Sequence, residues 1–148
     1  MVHALEEIHR LLKPDGFLID IHPVAGHSSI EIHHNGELDL VGYLKVRQWC
    51  FDFQQADIAL AKIVQRGQFI VEQKSMFDTL TYYDSAAEMA AALKESIHKF
   101  VREGEPIDEE VSQVDTLAQQ AEELMRAAGP RAELIMRERN HISQLKPD

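Results

Sequence analysis

The sequence predicts an α/β fold in which helices pack on a sheet of mixed parallel and antiparallel strands. Three observations predict it. An amphipathic helix pattern runs straight into a short, almost wholly apolar, β-branched run at Phe17–Ile21, the signature of a strand covered on both faces. Helical and extended patterns then alternate along the chain. Asn35-Gly36 separates two alternating runs, the strongest short hairpin signal. The 148 residues are 45% hydrophobic and 27% charged, ordinary for one globular domain spanning 1–148.

The first helix is expected from about Val2 to Lys13. Leu5, Ile8 and Leu12 fall three and four apart on one face, and Pro14 and Gly16 stop it. The strand Phe17–Ile21 follows, then a polar stretch from Val24 to Ser29. The hairpin is placed at about Ser29–His34 with Glu37–Tyr43. A second helix is expected over about 51–65, with Phe53, Ala56, Leu60, Ile63 and Val64 as its stripe and Gly67 past its end. Phe69–Val71 and Met76–Tyr83 read as one long strand or two pieces.

Ser85-Ala86-Ala87-Glu88 is a capping box that opens a third helix, with Met89, Leu93, Ile97, Phe100 and Val101 on one side. A fourth helix starts near Pro106. Asp108, Glu109 and Glu110 suit the positive end of its dipole, and Gly129-Pro130 stops it. Its stripe, Val111, Val114, Ala118, Ala121, Met125 and Ala128, reads as core. The last strand is expected over about 132–139, with a continuation to Leu145 left open.

Charge and cysteine usage set exclusions. Fifteen basic and 25 acidic residues give a formal charge of −10. That balance argues against nucleic acid or an anionic membrane as the main partner. No apolar run has the length of a membrane span, and the N-terminus lacks a signal-peptide pattern. Cys50 stands alone, so a cytoplasmic setting is expected and no disulfide framework is possible within the chain. It reads as an inert thiol beside Trp49 and Phe51. The acidic surplus, densest from Glu103 to Glu110, reads as a solvated face.

The segment Ala4-Leu5-Glu6-Glu7-Ile8-His9-Arg10-Leu11-Leu12-Lys13-Pro14-Asp15-Gly16-Phe17-Leu18-Ile19-Asp20 resembles class I S-adenosylmethionine-dependent methyltransferases. In that family a helix of the form A-L-x-E-I-x-R-x-L-K-P-G-G leads into the fifth strand of the sheet; here Asp15 replaces the first glycine of the turn. The resemblance implies a partial Rossmann-like sheet: a helix, the fifth strand, a further helix, a sixth strand and an antiparallel seventh. A helical insertion over about 85–128 lies between the last two. The family's glycine-rich cofactor turn lies upstream of this helix. The glycines at 16, 26, 36, 42, 67, 104 and 129 make no G-x-G turn. The chain is therefore expected to be the C-terminal portion of a methyltransferase, holding neither the S-adenosylmethionine site nor activity by itself. It would act with a missing N-terminal half, or with itself as a homo-oligomer, and border a small-molecule substrate. The alternative is a stand-alone, non-catalytic α/β domain for oligomerisation or ligand binding.

The polar residues after the fifth strand, Asp20, His22 and His27, are the substrate-lining candidates, because open α/β sheets bind ligands at the carboxyl ends of their strands. No catalytic base is assigned. A metal reading of His22, His27 and His33 matches no standard spacing, and adjacent His33 and His34 on a strand point to opposite faces. No metal is therefore expected. Asp78, Tyr82, Tyr83 and Asp84 read as strand packing as readily as pocket lining.

Overall fold

Four helices and four strands follow one another in a computed structural model that describes residues 1–148, the side chain of His27 excepted. The order is α1 (Val2–Leu11), β1 (Leu18–His34), β2 (Glu37–Leu44), α2 (Arg47–Gln65), β3 (Phe69–Tyr83), α3 (Ala86–Phe100), α4 (Asp108–Ala128) and β4 (Glu133–Pro147). The strands form one sheet in the order β2-β1-β4-β3.

Neighbouring strands are antiparallel. β1 and β2 pair from His34↔Glu37 to Ser28↔Leu44, with a bulge between Ile30 and Glu31. Asn35, just past β1, meets Arg131, just before β4, while Glu31 of β1 meets Arg137 of β4, so one strand climbs as the other descends. Along β4 and β3, Arg139 meets Asp78, Gln144 meets Glu72, and the Asp148 amide donates to the Gln68 carbonyl. The expected mixture of parallel and antiparallel pairing, and with it the partial Rossmann-like sheet, is thereby corrected: α/β holds, but no two neighbouring strands are parallel. β1 and β3 do run in the same direction, but β4 lies between them and is antiparallel to both.

Long-range packing divides the chain into two compact units built from interleaved segments. One comprises Met1–Ala25, Cys50–Asp78 and Arg139–Asp148; the other comprises Gly26–Trp49 and Thr79–Glu138. In the first unit Leu5, Ala59, Ile63, Phe69 and Leu145 form the buried core, flanked by Ile8, Leu12 and Leu18. Leu5 and Ile63 come from the helix stripes read by three- and four-residue spacing, whereas Ala59, Phe69 and Leu145 come from outside them. Phe69 also meets the edge of the His9 ring, with centroids 5.1 Å apart.

The second unit has the larger core. Ile30 and Ile32 of β1, Met89, Leu93 and Ile97 of α3, Val114, Leu117 and Ala121 of α4, and Leu134 of β4 are buried together. Gly42 lets β2 approach α4: a Cβ there would stand 2.7 Å from the Leu117 Cδ2. Asn35 and Gly36 both take positive φ, 50° and 84°, as a two-residue hairpin turn requires. At the start of α3, Ser85 Oγ accepts from the Glu88 amide at 3.1 Å, while a Glu88 carboxylate oxygen accepts from the Asp84 amide at 2.7 Å. The capping box is thus present, with its return bond one residue early.

Four further expectations change. Phe17–Ile21 is not covered on both faces: Phe17, Ile19 and Ile21 are 57%, 42% and 55% exposed. Their neighbours Leu18 and Asp20 are part-covered and His22 is buried, so the run has one covered side. The polar stretch Val24–Ser29 is strand, because β1 runs unbroken to His34 and Ser28 and Ser29 are paired by Leu44 and Tyr43. Glu110 is buried and not solvated; it accepts from Arg47 Nε at 3.0 Å. Phe100, placed on the core stripe of α3, is exposed. Among the described residues no helix is long and apolar enough to cross a membrane.

Candidate functional site

Strand β1 carries two pairs of the same kind, each a carboxylate two residues before a histidine: Asp20 with His22, and Glu31 with His33. Residues two apart on a strand share a face, so each carboxylate can reach its histidine without distorting the backbone. The surroundings of the two pairs differ.

In the second unit the pair is closed. Arg137 of β4 reaches Glu31 with Nε at 3.0 Å from Oε1 and Nη2 at 3.2 Å from Oε2. Ser29 Oγ donates to Glu31 Oε1 at 2.7 Å, and His33 Nε2 lies 2.8 Å from Oε2. Burial alone would push the Glu31 carboxyl up. The hydrogen bonds from Arg137, Ser29 and His33 outweigh it and hold the group below its ordinary value of 4.5. One cation and a full set of donors satisfy the anion, so this network locks β1 to β4 and leaves no donor set free for a ligand.

In the first unit the pair is open. His22 is buried, and its Nδ1 stands 2.7 Å from Asp20 Oδ2. Asp20 holds the ring through that nitrogen, so the other ring nitrogen, Nε2, is turned away from β1. Nε2 points at Asp57 of α2, 3.2 Å from its Oδ1. His141 of β4 brings its Nδ1 to 3.5 Å from the same oxygen, and that nitrogen is buried without a hydrogen-bond partner. The two imidazoles meet edge to face, centroids 5.5 Å apart. The donor atoms of His22, Asp57 and His141 all lie within 4.8 Å of one another. Two ring nitrogens and one carboxylate oxygen therefore converge on one small volume, held by two strands and a helix.

Of the three substrate-lining candidates, Asp20 and His22 are brought together in this cluster. The side chain of His27 lies outside the described residues. His33 and His34 bond instead to Glu31 and Asp39. Sequence reasoning missed Asp57 and His141. Asp57 sits between Ala56 and Ile58 inside a helix pattern, and His141 follows Asn140 in the stretch where continuation of the last strand is left open. A polar residue interrupting an apolar pattern is the signal each left. Cys50 is part-buried in the first turn of α2 and unpaired as a thiol. Tyr83 has its hydroxyl pushed up by burial and by the charges of Glu88 and Glu138, and packs against the core of the second unit. Comparison with protein-family profiles, with characterised proteins and with solved structures gives no match for this chain.

Proposed function

We propose that this chain forms the C-terminal portion of a class I S-adenosylmethionine-dependent methyltransferase, supplying the far edge of the sheet and part of the wall around a small-molecule methyl acceptor. The path of β1, α2, β3 and β4 supports it best. β1 and β3 run the same way, the chain passing from one to the other through the hairpin strand β2 and then helix α2, with one strand's place between them. The last strand fills that gap antiparallel to both, in keeping with the antiparallel seventh strand that the segment Ala4–Asp20 leads one to expect. The exposed apolar row Phe17, Ile19 and Ile21 gives further support: it is the face that the rest of such a sheet and its helices would cover. In this role Asp20 and His22 border the acceptor, and the cofactor is held by the N-terminal half of the enzyme.

A calorimetric titration tests this. The chain alone is expected to show no stoichiometric micromolar binding of S-adenosylmethionine. Co-expression with a strand–G-x-G–helix segment encoded directly upstream is expected to give a complex that binds it. Tight binding by the chain alone overturns the division of labour. An upstream sequence with no such segment overturns the methyltransferase assignment.

One observation favours a second reading, a non-catalytic domain that assembles with itself. β3 is an edge strand whose Ile70, Val71, Met76, Phe77, Leu80 and Tyr82 are exposed. Light scattering is expected to show a dimer or larger species on either reading, and a monomer at high concentration removes the second.

A further inference from the structure

The open cluster of the first unit gathers three donor atoms on one small volume. His22 Nδ1 is held by Asp20 at 2.7 Å, and its Nε2 faces the Asp57 carboxylate at 3.2 Å. The Nδ1 of His141 faces the same oxygen at 3.5 Å and is buried without a partner. Among the described residues no Lys or Arg pairs with Asp20 or Asp57.

We infer that His22 Nε2, His141 Nδ1 and Asp57 Oδ1 bind a divalent transition-metal ion, zinc in the first instance. Donors in a tetrahedral site at about 2.0–2.2 Å from zinc stand roughly 3.3–3.6 Å apart. The 3.2 and 3.5 Å separations are close to that spacing, and the two ring nitrogens lie within 4.8 Å of each other. Two imidazoles and one carboxylate are a recurrent donor set for such ions, and three protein ligands leave a coordination position for water or substrate. Asp20 completes the pattern, as the carboxylate that orients a ligating histidine through its other ring nitrogen. His22 is buried while Asp57 is 45% exposed, so the site has both a shielded side and an entry path. The inference draws on these four side chains and does not depend on the methyltransferase assignment.

The test uses the tag-free full chain, titrated with Zn²⁺ by calorimetry and with Co²⁺ as an optical probe. One equivalent should bind, with the visible bands of low-coordinate cobalt and no sulfur charge-transfer band. His141→Gln and Asp57→Asn should each weaken binding by more than about 100-fold, and Asp20→Asn by about 10–100-fold with the cobalt spectrum kept. His33→Gln, in the closed network, should bind as the wild type does. Circular dichroism establishes that each variant is folded. For any that is not, broadening of the His22 and His141 ring resonances by Co²⁺ in the wild-type chain gives the same information. Absence of stoichiometric binding by the folded wild-type chain overturns the site. So does unchanged affinity in folded His141→Gln and Asp57→Asn, or a charge-transfer band that makes Cys50 a ligand. Metal and S-adenosylmethionine are titrated separately, so failure of either assignment leaves the other standing.

Discussion

The Asp20–His22 and Glu31–His33 pairs start from the same local geometry on one strand and end in opposite electrostatic states. At Glu31, β4 contributes Arg137, a fixed cation with a planar fork, and the anion is fully answered. At Asp20, β4 contributes His141, which brings no fixed charge and leaves a buried nitrogen without a partner. A satisfied network stiffens a fold, whereas an unsatisfied one marks a place where something else is meant to bind. Which residue the neighbouring strand offers, and not the pair itself, decides between the two.

The largest expected effect probes the core of the first unit, the unit that carries the open site. Phe69→Ala should cost about 3–5 kcal/mol, because a fully buried aromatic leaves a cavity in a small core. Urea unfolding followed by circular dichroism measures it. Hydrogen exchange should also show amides of the first unit less protected than those of β1 and α3 around Ile30 and Met89, where the larger core sits.

Next comes the closed pair. Glu31→Ala should cost about 2–4 kcal/mol, since it removes the carboxylate that Arg137 grips and the two hydrogen bonds with Ser29 and His33. Acid should act through the same group. Its folded carboxyl lies below the ordinary value of 4.5, so its contribution is present above that value and is lost as pH falls through the lowered one. Glu138, pushed up by burial, has the opposite sign. Its contribution is full below the ordinary value and is lost as pH rises through the raised one. Glu31→Gln should flatten the acid limb of a pH–stability curve; an unchanged limb would break the comparison.

The open pair should respond to metal where the closed one does not. Zinc at a hundred times its dissociation constant should add about 2.7 kcal/mol to wild-type stability and nothing to His141→Gln, read as a shift in thermal midpoint. The smallest effect concerns helix starts. α1 begins with no side-chain cap, whereas α3 opens on Ser85. Ser85→Ala should cost about 1 kcal/mol, and a Ser or Asp placed at Met1 should add a similar or smaller amount.

Much of the fold was legible because its rules are local. Three- and four-residue spacing found all four helices, Asn35-Gly36 set the hairpin register, and Ser85 with Glu88 marked the start of α3. The length of β1 was hidden because Val24–Ser29 is polar, and the pairing of its Ser28 and Ser29 with β2 is something no local pattern records. The exposed side of Phe17–Ile21 was hidden for a related reason: an apolar run states what it prefers to be covered by, not whether the cover is present. Half of the open site was visible as Asp20 and His22. The other half comes from α2 and from β4, and only the sheet order brings His141 beside His22.

β3 has one more consequence. It is fifteen residues long, lies at the sheet edge and exposes most of its side chains. Its stretch Met76–Tyr83 carries a single charge, Asp78, which Arg139 neutralises. An edge of this kind is a template on which another strand can add. Lys74 and the formal charge of −10 keep copies apart at neutral pH. Near the isoelectric point of about 5.2 that repulsion vanishes, so turbidity should peak there and Thr81→Lys should suppress it. Colloidal behaviour in this protein is thus governed by one strand and one variable, the acidity of the buffer.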